Sequence, residues 1–176
     1  TEVETEVEDA NESETDALTK AVQAAINQLI DFRTQEGNRL ERFFQEKIDN
    51  IQALLLDVPK YEEERVIKIK KRIQDALEKL GDIDYDKNRF EQEMIFYIEK
   101  LDITEEKIRL QNHLEYFVHT MTTGSGQGKK LGFISQEMGR EINTLGSKAN
   151  QAELQKVVVR MKDQLEQIKE QVLNVM

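Results

Sequence analysis

The sequence contains no cysteine, so neither a disulfide framework nor a thiolate metal site is open to it, and a reducing compartment fits. Proline occurs once and glycine eight times. That is little punctuation for a sheet protein with many turns, and it suits long helices. No run of about 18 apolar residues and no secretory segment is present, so nothing reads as membrane-spanning or exported and a cytoplasmic protein is expected. Nucleophile-elbow, HExxH, EF-hand and Glu-x-x-His patterns are missing too, which leaves acyl transfer, zinc proteolysis and di-iron chemistry without support. A phosphate loop of the Walker type is excluded because Gly128-Lys129 is followed by Lys130 rather than Ser or Thr.

What the chain does have is charge. Its 176 residues are 34% charged, with a formal net charge of -10. Such a balance argues against a nucleic-acid partner until its distribution is considered. Residues 1–16 hold eight acids and no Lys or Arg, which leaves 27 acids against 25 bases in the remainder. The body of the protein is nearly neutral and has room for a local basic surface.

The opening TEVETEVE alternates at period two, as a strand does. It reads either as a disordered acidic tail or as the last strand of a domain that precedes this one. From Ser13 onward the pattern turns helical. Leu18, Val22, Ile26, Leu29, Phe32, Leu40, Phe44, Ile48, Ile51 and Leu55 recur at helical spacing. Asp57-Val58-Pro59 is expected to end this helix and Pro59 to start the next, giving an antiparallel hairpin capped at Gly81. Five bases without an acid between Arg65 and Arg72 form either a solvated face or a phosphate-contacting stripe.

Asp84 or Asp86 is expected to open a third helix, and Asp102 with Glu105 reads as a capping box for a fourth. On that fourth helix Glu106, Arg109 and His113 share a face beside the apolar seam of Leu110, Leu114 and Phe117. A Gly-rich loop, 122–128, precedes a helix with the apolar stripe Leu131, Ile134, Met138, Ile142 and Leu145. The last helix, with Asn150 as a candidate cap, repeats Leu154, Val158, Met161, Leu165, Ile168 and Val172 at heptad spacing. This seam packs within or between subunits, with a role in oligomerisation favoured.

Chemistry concentrates between Gly128 and Ala149. Glu137, Arg140, Glu141, Thr144 and Lys148 run together beside the apolar stripe. Two carboxylates one turn apart can converge on a divalent ion; the plainer reading is an Arg–Glu surface network. His113, at the edge of its seam, is either a hydrogen-bonded core residue or a metal ligand and proton carrier. His119, near the loop, reads as a surface residue.

These residues also carry a resemblance. GKKLGFISQEMGREINTLGSKA, followed by a heptad helix ending in KEQVLNVM, resembles the C-terminal signature of the YicC-like (YicC/YloC) family of bacterial proteins. LDITEEKIRLQNHLEYF resembles the family's pattern upstream of it. The likeness is specific over about residues 84–176 and weaker back to Asp16. It implies a metal-dependent endoribonuclease of bacterial RNA turnover, of which this chain is the helical C-terminal part. TEVETEVE then becomes the end strand of a missing N-terminal domain.

By the same resemblance the matching polar residues are Glu93, Asp102, Glu106, Arg109, His113, Glu137, Arg140, Glu141, Asn143, Ser147 and Lys148. His113, Glu137 and Glu141 are the expected catalytic residues. With Glu93 they are also the expected ligands of a manganese or magnesium ion, while Lys129, Lys130, Arg140 and Lys148 would grip RNA phosphates. Two positions depart from the family pattern: Gly132 stands where Asp is usual, and Gly139 where Asn is usual. Both glycines lower helix propensity and could mark bends.

The expectation is an all-α protein: an acidic segment over 1–14, a long helical hairpin over 15–82, and a helical bundle over 83–176 ending in a heptad helix. It would act on RNA as a homo-oligomer, away from membranes. The rival reading is a non-catalytic helical oligomerisation or adaptor module.

Overall fold

A computed structural model describes residues 12–79, 86–124, 126–149 and 151–175. Among these described residues five helices follow one another: α1 (Glu12–Lys79), α2 (Lys87–Lys100), α3 (Thr104–Thr122), α4 (Gly128–Lys148) and α5 (Ala152–Val172). The all-α expectation holds, and no strand occurs among the described residues. TEVETEVE, Asp84, Gly81 and Asn150 lie outside them. No described helix is long and apolar enough to cross a membrane.

The expected hairpin turn at 57–59 does not form, because α1 runs unbroken through Pro59. An interior proline removes one backbone hydrogen bond and costs about 3 kcal/mol. Tertiary packing on both sides outweighs that loss. Leu55, Val58 and Ile69 are buried, and Glu62, just beyond the proline, pairs with Lys107 of α3 at 2.5 Å. Pro59 itself faces solvent.

The chain divides into two compact units, Thr1–Leu40 and Glu41–Met176. In the first, the described residues are the opening turns of α1. Their apolar stripe of Leu18, Val22, Leu29 and Phe32 is exposed. The second unit contains the core. There Phe44 of α1 meets Phe117 of α3 edge to face, with ring centroids 5.6 Å apart. Ile48, Ile51, Leu110 and Leu114 are buried too, and Gln52 of α1 donates to Gln111 of α3 at 2.6 Å.

Local hydrogen bonds mark the starts of α2 and α3. Asp86 caps α2 by accepting from the Asn88 and Arg89 amides at 3.0 and 3.2 Å. The capping box expected at Asp102 is not made. Asp102 instead accepts from the Thr104 amide at 3.0 Å and its hydroxyl at 2.7 Å, while Glu105 turns to Arg109. Hydrogen bonding from the Thr104 hydroxyl and then its amide holds the Asp102 carboxyl below its usual value of 3.8. Between α3 and α4, Gly124 and Gly126 adopt φ of 95° and 69°, a region glycine enters without steric cost.

α4 is the centre of the second unit. Leu131, Ile134, Met138, Ile142 and Leu145 are all buried, as their spacing predicts. α5 runs antiparallel to it, with Gly128 beside Val175, Gly139 beside Leu165 and Gly146 beside Val158. Its heptad seam, Leu154 through Val172, is buried within the chain itself. The role in oligomerisation favoured for that seam is therefore not what the fold uses it for.

Candidate functional site

The polar residues of α3 and α4 meet along an antiparallel register. Lys148 donates to Glu106 at 2.7 Å and to the Asp102 carbonyl at 2.8 Å. One step along, Arg109 lies 3.9 Å from Glu141. At the far end the Lys130 ammonium sits 4.8 Å from the centre of the Tyr116 ring. These three contacts put His113, between Arg109 and Tyr116, level with Glu137, between Lys130 and Glu141. The face read from Glu106, Arg109 and His113 is thus turned toward α4.

Burial differs sharply within this group. Glu141 and Glu106 are only 5% and 7% exposed, whereas Glu137 and His113 are half-buried. Burying a carboxylate is costly unless a cation and hydrogen bonds compensate it. Lys148 does so for Glu106, although Glu106 Oε2 is buried with no hydrogen-bond partner among the described residues, whereas Arg109 hydrogen-bonds Glu105 and approaches Glu141 only to 3.9 Å. Lys148, expected to grip RNA, is thereby engaged in tying the end of α4 to the start of α3. Gln155 closes that end further by donating to the Gly146 carbonyl at 2.7 Å.

The remaining predicted residues are spread out. Glu137 accepts from Arg140 at 3.1 Å, on an exposed rim. Lys129 and Lys130 are exposed on the first turn of α4, His119 is exposed on α3, and Glu93 is exposed on α2. The four expected ligands do not converge. Among the described residues no three His, Asp or Glu side chains form a group able to hold a metal ion. Glu137 and Glu141 supply two carboxylates, and each already faces an arginine. These residues by themselves do not fit a resident divalent ion.

The motif splits across two sides of α4, which the linear reading did not show. Glu141 and Lys148 pair with α3, and Glu137 sits between the two sides, accepting from Arg140. Gln136, Arg140, Asn143 and Ser147 instead line an open groove completed by Lys169 of α5. Lys169 had no sequence signal of its own, since it reads as an outward position of a heptad helix. Neither Gly132 nor Gly139 interrupts α4. Gly139 is buried, and a Cβ there would lie 3.3 Å from Leu165.

Residues 57–176 match the family described as "Endoribonuclease YicC-like, C-terminal". The chain belongs to the YicC-like family. A curated relative named "Probable endoribonuclease YicC" from Clostridioides difficile (strain 630) is 33% identical over 162 residues, 90% of this chain and 55% of that protein. One of the same name from Haemophilus influenzae (strain ATCC 51907 / DSM 11121 / KW20 / Rd) is 32% identical over 179 residues, 96% of this chain and 60% of that protein. The chain thus spans little more than half the length of these YicC-like relatives. Both polar sides of α4, and α3 and α5 that flank them, fall inside the family match.

Proposed function

We propose that this chain is the helical C-terminal part of an endoribonuclease that cleaves RNA phosphodiester bonds in bacterial RNA turnover. The observation that carries this is the family match, which spans the helices bearing the paired carboxylates and the basic groove. On this reading Arg109 and Lys148 position the α3–α4 pair, and Glu137, Glu141 and His113 serve the cleavage chemistry. Arg140, Lys129 and Lys130 approach the RNA phosphates. A divalent ion, manganese or magnesium, belongs to the proposal. Two carboxylates do not fill a ligand shell, and water and RNA phosphate oxygens would complete it.

The test is cleavage of single-stranded and stem-loop RNA by the full-length protein carrying Glu137→Gln or Glu141→Gln, with manganese or magnesium supplied. Loss of cleavage with an unchanged helical circular dichroism spectrum is expected from both. Cleavage at the original rate in both variants would remove these carboxylates from the mechanism.

The rival adaptor reading draws on one observation, the exposed stripe of Leu18, Val22, Leu29 and Phe32. A homo-oligomer formed through such a stripe is part of either reading. Sedimentation with and without RNA separates them: assembly without RNA or metal binding favours the adaptor.

A further inference from the structure

The α5 side of α4 has the makings of a ligand seat distinct from the carboxylate side. Gln136, Arg140, Asn143 and Ser147 follow one another at spacings of four, three and four, so they form a row along the helix. With Gly139 and Lys169 they line an open groove of about 560 Å³, and no Asp or Glu is among its lining residues. Gly139 sets its depth. A Cβ at that position would meet Lys169 Nζ at 3.4 Å, so the missing side chain lets the ammonium settle over the helix, in the same groove as the Arg140 guanidinium.

Both cations are held only at the rim. Arg140 meets Glu137 at 3.1 Å and Lys169 meets Glu166 at 2.8 Å, and those acids are 41% and 64% exposed. Exposed pairs of this kind are weak and give way readily to a stronger acceptor. A phosphate oxygen pair is such an acceptor for a planar guanidinium, with a lysine beside it as a point charge. The Ser147 hydroxyl donates to the Thr144 carbonyl at 2.9 Å, which leaves its oxygen as an acceptor, while the Gln136 and Asn143 amides are exposed and able to donate. Donors and an acceptor beside a phosphate site match a ribose, whose 2′-hydroxyl is both.

We propose that the α4–α5 groove seats the sugar-phosphate backbone of an RNA strand, with Arg140 and Lys169 on a phosphate and the Gln136 and Asn143 amides on the adjoining ribose. It reads no base. This inference rests on the endoribonuclease reading and adds to it a second contact surface, on the opposite flank of α4 from Glu141.

The experiment measures binding of fluorescent oligouridylate and oligoadenylate by the full-length protein across a salt series, for the wild type, Lys169→Gln, Arg140→Gln and Lys169→Arg. Each charge-removing variant is expected to weaken both RNAs alike and to make the log–log salt slope shallower by about 0.7, the value for one phosphate contact on a single strand. Lys169→Arg should restore the slope. An unchanged slope in both Gln variants, with a wild type that binds, overturns the groove and leaves the endoribonuclease reading standing. Weakening of only one RNA overturns the claim that no base is read. A wild type that binds neither RNA overturns both. Should a Gln variant lose its helical spectrum, Asn143→Ala decides in its place: weaker binding of both RNAs supports the groove, and unchanged binding counts against it.

Discussion

The two polar sides of α4 hold similar residues under opposite conditions. Toward α3, carboxylates are buried and matched to cations from another helix: Glu106 to Lys148 and Glu141 to Arg109. Toward α5, Arg140 is exposed and Lys169 half-buried, each paired to an acid three residues away, and exposed amides border them. The first side is closed and spends its charge on holding two helices in register. The second is open, and its ion pairs are exposed at the rim. One motif therefore combines positioning and contact, divided by which helix packs against which flank.

Both sides of α4 rest on one core. Phe117 is fully buried against Phe44, and Phe117→Ala is expected to cost about 3–5 kcal/mol in urea unfolding, loosening both flanks together. Next is the closed side. Lys148→Ala leaves the buried Glu106 carboxylate without its cation and should cost about 2–3 kcal/mol, below the full penalty of a deeply buried pair because Lys148 is partly exposed. The matching change on the open side, Arg140→Ala, should stay within about 0.5 kcal/mol. Equal costs for the two would erase the distinction between closed and open flanks.

The smallest effect concerns pH. The Asp102 carboxyl titrates below its ordinary 3.8 because Thr104 hydrogen-bonds its charged form. A depressed folded value means its contribution is present in full above 3.8 and is lost as pH falls through the lower folded value. Unfolding midpoints of the wild type and Asp102→Asn should therefore converge as pH drops below 3.8. A difference that stays constant across that window would detach Asp102 from the start of α3.

Periodic features were legible from the sequence. The α4 stripe and the α5 seam are buried because spacings of three and four leave one face no alternative to the core. The face of Glu106 and Arg109 was readable for the same reason, since i and i+3 share a side of any helix. What stayed hidden depends on contacts distant in sequence. Pro59 is a local stop signal overridden by the burial of Val58 and by the Glu62–Lys107 pair, 45 residues apart. Lys148 looked available to RNA because its partners, Asp102 and Glu106, lie on another helix. Lys169 carried no signal because only the antiparallel register of α5 brings it to Gly139 and Arg140.

On the proposed reading, the α3 side of α4 serves the cleavage chemistry and the α5 side grips the RNA. The most direct measurement compares RNA affinity and cleavage rate at saturating RNA in the full-length protein for Glu141→Gln and Lys169→Gln. The division predicts that Glu141→Gln loses cleavage while keeping its affinity, and that Lys169→Gln loses affinity while keeping its cleavage rate at saturation. If both variants lose affinity and rate in the same proportion, the two flanks act as one surface and the division is wrong.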